Sequence, residues 1–274
     1  MSTASAVRAR TRSTVQMGRM PLFYAITVAF LAFLLLALNE PMRFVYLAWT
    51  PGYELFTHRV HHVMIGAILT LLVISVAVQL YRPAKRVGAY LLAAVGVGSL
   101  LVVSLVGTGI SALSELAIFV IPLVLIGVLH PGLRSFRPSR ETVDVRLLVL
   151  AALAGVPLIA FAAMQVNLHL TLTNDHVVFE HYLMMAGGAL TVAVGALVAS
   201  FRPAGWRVLA YGVAVLVAIV GIASVTFTDP AQGVNFGVFG GALAVLWAVG
   251  FVAVAEYGSR VTTPADRDVT DPAS

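Results

Sequence analysis

Cysteine is absent from this 274-residue chain, and charge is scarce. Without a thiol there is no disulfide framework, no thiolate metal site and no cysteine nucleophile. Charged residues make up 11%, against about 25% in a soluble domain. Lysine occurs once, at Lys85, in a polar stretch between apolar runs, so no spanning lysine could carry a retinal Schiff base. The chain also lacks an H-E-x-x-H pair, a phosphate-cradling P-loop and a prenyltransferase-type aspartate cluster.

What is present is apolar. Hydrophobic residues make up 60% of the chain and the mean hydropathy is +0.96. So little polar surface makes lipid the expected solvent. Spanning a hydrocarbon core about 30 Å thick takes roughly 20 apolar residues in a helix. Runs of that size lie at 21–38, 61–80, 87–107, 112–130, 146–166, 181–200, 207–227 and 234–255. They are continuous rather than alternating, which points to helices and not to a barrel of strands. The first run is too long for a signal-peptide core, and Ala37-Leu38-Asn39 is a poor cleavage site, so an uncleaved first helix is expected.

The sequence pI of 9.9 does not indicate nucleic acid, because the basic residues sit at the ends of the runs. Arg8, Arg10, Arg12, Arg19, Arg82, Lys85, Arg86, Arg134, Arg137, Arg140, Arg146, Arg202, Arg207, Arg260 and Arg267 all fall on one side of the eight-span topology. Only Arg43 and Arg59 fall on the other. Positive loops stay cytoplasmic, so the expectation is a multi-pass cell-membrane protein with both termini in the cytoplasm. Every histidine except His130 falls on the opposite, extracytoplasmic side.

The chain carries an internal echo. Arg82-Pro83-Ala84, then Arg86-Val87-Gly88-Ala89-Tyr90, matches Arg202-Pro203-Ala204, then Arg207-Val208-Leu209-Ala210-Tyr211. At a common offset, His61 and Met64 match His181 and Met184. Ala32-Phe33 precedes Asn39 as Ala160-Phe161 precedes Asn167. The expected fold is therefore an all-α integral membrane protein whose eight helices form two parallel four-helix repeats. Its expected divisions are a disordered N-terminus at 1–18, a first repeat at 19–132, a linker at 133–145, a second repeat at 146–256 and a disordered tail at 257–274.

The outer loops hold the chemistry. If helix begins near Tyr53, Glu54, His58 and His62 share one face, with His61 beside them. In the second half His176 and Glu180 are four apart and lead into His181. Imidazole and carboxylate bind zinc, copper and iron, and a histidine from each of two helices can hold a haem iron. The candidate metal ligands are Glu54, His58, His62, His176 and Glu180, and the candidate cofactor residues are His61, His62 and His181. Set against this, His169 and His176 read as solvated loop residues and His130 as a cation at a helix end. Glu115 is the one formal charge well inside a run, and Asn235 takes its place in the second half, which makes both candidates for a proton path.

Glu54 shortly before His58-Arg59, at the start of a second span in an eight-span plan, partly resembles haem A synthase. That family pairs histidines on spans two and four and on six and eight. Spans four and eight here have no outer histidine, so the resemblance covers topology and one short motif. Were haem bound, His61 or His62 and His181 would have to hold it in an arrangement different from that family's. From the residues themselves, a His/carboxylate site for a transition metal or haem at the outer end is the leading expectation. A proton-coupled transporter of a small solute or ion, and an accessory subunit docking a membrane partner or a second copy, are the alternatives.

Overall fold

The computed structural model describes residues 3–53, 55–138, 143–229 and 232–261. Among these, eight helices are long and apolar enough to cross a membrane. They are α1 (Thr3–Ala37), α3 (Arg59–Val78), α4 (Val87–Thr108), α5 (Ser111–Leu129), α6 (Val145–Thr171), α8 (His181–Ala199), α9 (Trp206–Thr226) and α10 (Gly237–Val261). Two short helices, α2 (Asn39–Leu47) and α7 (Asp175–Val178), lie at the histidine-bearing end. The apolar stretch of α1 begins at Arg19. Residues 3–18 continue the same helix, where the sequence suggested disorder.

Helix ends follow local chemistry. Asp144 caps α6 by accepting from the backbone N–H groups of Arg146 and Leu147. Its carboxylate also takes Arg202 at 2.7 Å, and Arg202 donates to the Ala255 carbonyl. Arg207 pairs with Glu256 at 2.6 Å. These contacts tie α6, α9 and α10 together at the arginine-rich end.

Helices α3, α4, α8 and α9 form the centre, each of α3 and α4 packing on both α8 and α9. Helix α6 packs on α8, α10 on α9, α5 on α4, and α1 on α3 and α5. The outer helices turn large apolar side chains outward, with Leu153 65%, Leu246 68% and Phe239 77% exposed. In water such faces would be costly, whereas acyl chains accept them at no cost. At the arginine-rich end the two R-P-A turns touch. The Gly88 N–H donates to the Ala204 carbonyl at 2.8 Å, and a Cβ at Gly88 would stand 2.6 Å from the Gly205 oxygen. The turn residues Arg82 and Arg202 both adopt left-handed backbone conformations, with φ of 50° and 47°.

Candidate metal centre

Five histidines meet at the opposite end. His58 precedes α3, and His61 and His62 occupy its first turn. The helix starts at Arg59 rather than near Tyr53, because Phe56–His58 form a 3-10 turn. His181 opens α8 directly after Glu180, whose left-handed φ of 54° turns the chain sharply between α7 and α8. That turn folds α7 back so that His176 faces the ends of α3 and α8. Asn174 caps α7 by accepting from the Val177 N–H.

The Nδ1 atoms of His58 and His181 are 2.8 Å apart, those of His61 and His176 3.0 Å, and those of His176 and His181 3.3 Å. Ring nitrogens of His58, His176 and His181 all lie within 4.8 Å of one another. His61 is 0%, His62 4%, His181 5% and His58 7% exposed. A neutral imidazole carries one N–H. Each of the two shorter contacts therefore sets an Nδ1–H of one ring against an Nδ1 lone pair of the other. At least two Nδ1 lone pairs thus lie inside the cluster, where His58, His61 and His181 are buried and His176 is half-buried.

Burial sets the electrostatics. His58 is held below the usual 6.5 by desolvation, against the opposing pull of Asp175. His176 is lowered by desolvation and then by His58, again against Asp175. Both therefore present neutral rings, the form that binds metal. Tetrahedral zinc–imidazole bonds of about 2.0–2.1 Å place neighbouring nitrogens about 3.3–3.4 Å apart. Two of the three ligand pairs, at 2.8 and 3.3 Å, lie within about half an ångström of that spacing, and the third pair lies within 4.8 Å.

His62 belongs to the cluster as a wall. The Tyr53 hydroxyl and its Nδ1 share a hydrogen bond of 2.5 Å, and its ring stacks on Phe44 of α2 at a centroid distance of 4.2 Å. Helix α2 can lie this close because residue 66 is glycine. A Cβ there would stand 2.2 Å from the Val45 nitrogen. The sequence reading missed α2, although Met42, Val45 and Trp49 recur at helical spacing.

Several expectations are corrected. Glu180 and His176 do not share a helical face, because the chain turns between them. Glu180 instead lies near Glu115, and burial first and that neighbour second raise its pKa above the usual 4.5. Glu115 itself is exposed on α5. Asn235 is not on the last span but in the loop before α10. Its amide donates to the Phe227 carbonyl and its oxygen accepts from the Gly237 N–H, so it organises that loop. His169 is not in a solvated loop, since α6 runs on to Thr171 and buries it. His176 is drawn into the cluster. His130 is no cation. Its Nδ1 accepts from the Gly132 N–H at 3.1 Å and its Nε2 lies 3.0 Å from Gln79 Oε1, while burial lowers its pKa to about 4. Glu54 lies outside the described residues.

No protein-family model matches the chain, and neither a curated protein nor a solved structure matches it.

Proposed function

We propose that this chain is an integral protein of the cell membrane, with cytoplasmic termini, that holds one resident transition-metal ion at its extracytoplasmic end. His58, His176 and His181 would supply the ligands. The observation that carries this reading is the meeting of their ring nitrogens within 4.8 Å, with His58 and His181 buried and His176 half-buried. An all-imidazole set suits copper, zinc or iron rather than magnesium or calcium, which take oxygen. Copper or iron would give the site one-electron chemistry within a membrane redox system, and zinc would give it a structural role.

A metal ion fits better than haem. Axial ligation sets two imidazoles on opposite faces of a flat macrocycle. Here the Nδ1 atoms of His58 and His181 touch at 2.8 Å, which leaves no slot between those rings. A resident ion also fits better than a cargo. The cavity of about 100 Å³ deeper in the bundle is walled by side chains such as Ile68, Leu72, Leu92, Leu100 and Met184, with Thr191 as its polar contribution. Such walls would not replace the hydration shell of an ion.

The inferred two-repeat architecture is supported by the matching left-handed turns at Arg82 and Arg202. It is supported too by a pattern of helix neighbours that survives exchange of α1, α3, α4, α5 with α6, α8, α9, α10. Such a twofold would bring His61 and His181 together, and their ring centroids are 5.5 Å apart.

Elemental analysis of detergent-purified protein tests the proposal. The wild type should carry near-stoichiometric metal, and the His58→Ala/His181→Ala variant should lose it. Metal-free wild type that fails to take up zinc or copper would end the reading. A Soret band abolished in the same variant would return it to haem.

A further inference from the structure

Among the described residues, the buried polar atoms without a hydrogen-bond partner include His61 Nε2, Gln165 Oε1 and Gln232 Oε1. His61 and Gln165 are both 0% exposed. All three converge on one short stretch of chain. Gln165, on α6, donates its Nε2 to the Val234 carbonyl at 3.2 Å. Gly233, with a φ of +111°, lies against the His61 ring so closely that a Cβ there would stand 3.2 Å from Nε2. Gln232 is the next residue back. Buried polar groups in folded proteins are almost always paired, and each exception calls for an explanation.

The three atoms are complementary in type. The two amide oxygens can only accept. His61 Nε2 can donate once it carries the ring proton, and its Nδ1 then becomes a lone pair. That lone pair lies 3.0 Å from His176 Nδ1 and so faces one member of the trio of His58, His176 and His181. Histidines that ligate metals nearly always donate their other N–H to an oxygen, which fixes the tautomer and the ring orientation. The polar atoms behind His61 are the parts such an arrangement requires.

Resting on the metal reading above, we propose that His61 is the fourth ligand, through Nδ1, and that Gln165 positions it by accepting from Nε2–H. With metal bound, the ring proton of His61 would sit on Nε2 and the ring would remain neutral. The result is a closed four-imidazole site without a bound water. Closed sites are the structural kind, whereas three-ligand sites keep a water whose pKa the metal lowers to about 7.

Cobalt(II) added to metal-free, detergent-purified protein tests the assignment through its visible spectrum. In the wild type the spectrum should be of the four-coordinate type and should not change across neutral pH. In His61→Ala a water replaces the lost ring, and the spectrum should acquire a transition near pH 7. Gln165→Leu should weaken cobalt binding about 10–100-fold while keeping the wild-type spectrum, and Gln165→Glu, which keeps an acceptor, should restore it. A wild-type spectrum that already titrates near neutrality and is unchanged in His61→Ala would overturn the assignment while leaving the three-histidine site standing. So would unaltered affinity in Gln165→Leu, which decides the matter should His61→Ala fail to fold. Wild type that binds no cobalt at all would remove both the site and its fourth ligand.

Discussion

The Nδ1 atom of His58 lies 2.8 Å from the Nδ1 atom of His181, across 123 positions of sequence. The contact joins the start of α3 to the start of α8, and one ring must offer a proton where the other offers a lone pair. Replacing His181 by alanine would take away the ring that pairs with buried His58 Nδ1, which costs about 1–3 kcal/mol even without metal. We therefore expect His181→Ala to lower the thermal midpoint of the metal-free protein by several degrees. An unchanged midpoint would show that the contact carries no stability.

Acid should weaken the histidine end. The unfolded chain binds protons near the ordinary histidine value of 6.5, whereas folded His58 and His176 resist protonation because burial lowers their pKa values. Above that value both states are neutral and nothing is lost. As pH falls through it the unfolded state gains protons first, so stability declines. His130, lowered to about 4, acts in the same direction. Glu180 acts in the opposite one, since its raised pKa favours proton uptake by the folded state near 4.5. Thermal midpoints should be level from pH 8 to about pH 6.5 and then fall toward pH 5. A level profile across the whole range would contradict burial of neutral rings.

Glu115 and Glu180 repel each other across the outer ends of α5 and α8. Glu115→Gln should relieve this at neutral pH, with a rise in midpoint of no more than about 2 °C, as suits a partly exposed pair. The gain should vanish once the pH is low enough to protonate Glu180. A loss of metal binding in this variant would instead place Glu115 in the site.

The two R-P-A turns meet where residue 88 has no side chain. Gly88→Ala would drive a methyl group to within 2.6 Å of the Gly205 carbonyl oxygen, a backbone atom that cannot swing aside. A cost of about 1–3 kcal/mol is expected, read as a lower midpoint with metal binding retained. A neutral substitution would contradict the close approach of the two turns.

The eight long apolar helices were legible in the sequence because a membrane-crossing helix needs a length and an apolar composition that a single chain displays. The run at 61–80 became α3, Arg59–Val78, and the run at 181–200 became α8, His181–Ala199. Legibility failed where polar residues continue a helix. The polar stretch from Asn167 through His169 to Thr171 reads as loop, yet α6 extends through it because α4 and α8 shelter its last turn. Gly107 of α4 lies against His169. Histidines at 58, 61 and 181 could be named as candidates from their order at the span entrances. His176 is a candidate ligand by sequence too, but the fold-back that brings it to His181 could not be named, because it depends on a left-handed turn at Glu180, a residue type that rarely adopts that conformation. Nor could the fixing of His62 by Phe44 and Tyr53, since α2 and the turn after it carry those groups in from a segment read as loop.

X-ray absorption at the metal edge of zinc- or copper-loaded protein tests the histidine centre most directly. The expected spectrum shows a shell of nitrogen ligands at about 2.0–2.1 Å with the multiple-scattering pattern of imidazole, lost when His58, His176 and His181 are replaced together. A shell dominated by oxygen, or a spectrum unchanged by that triple replacement, would contradict it.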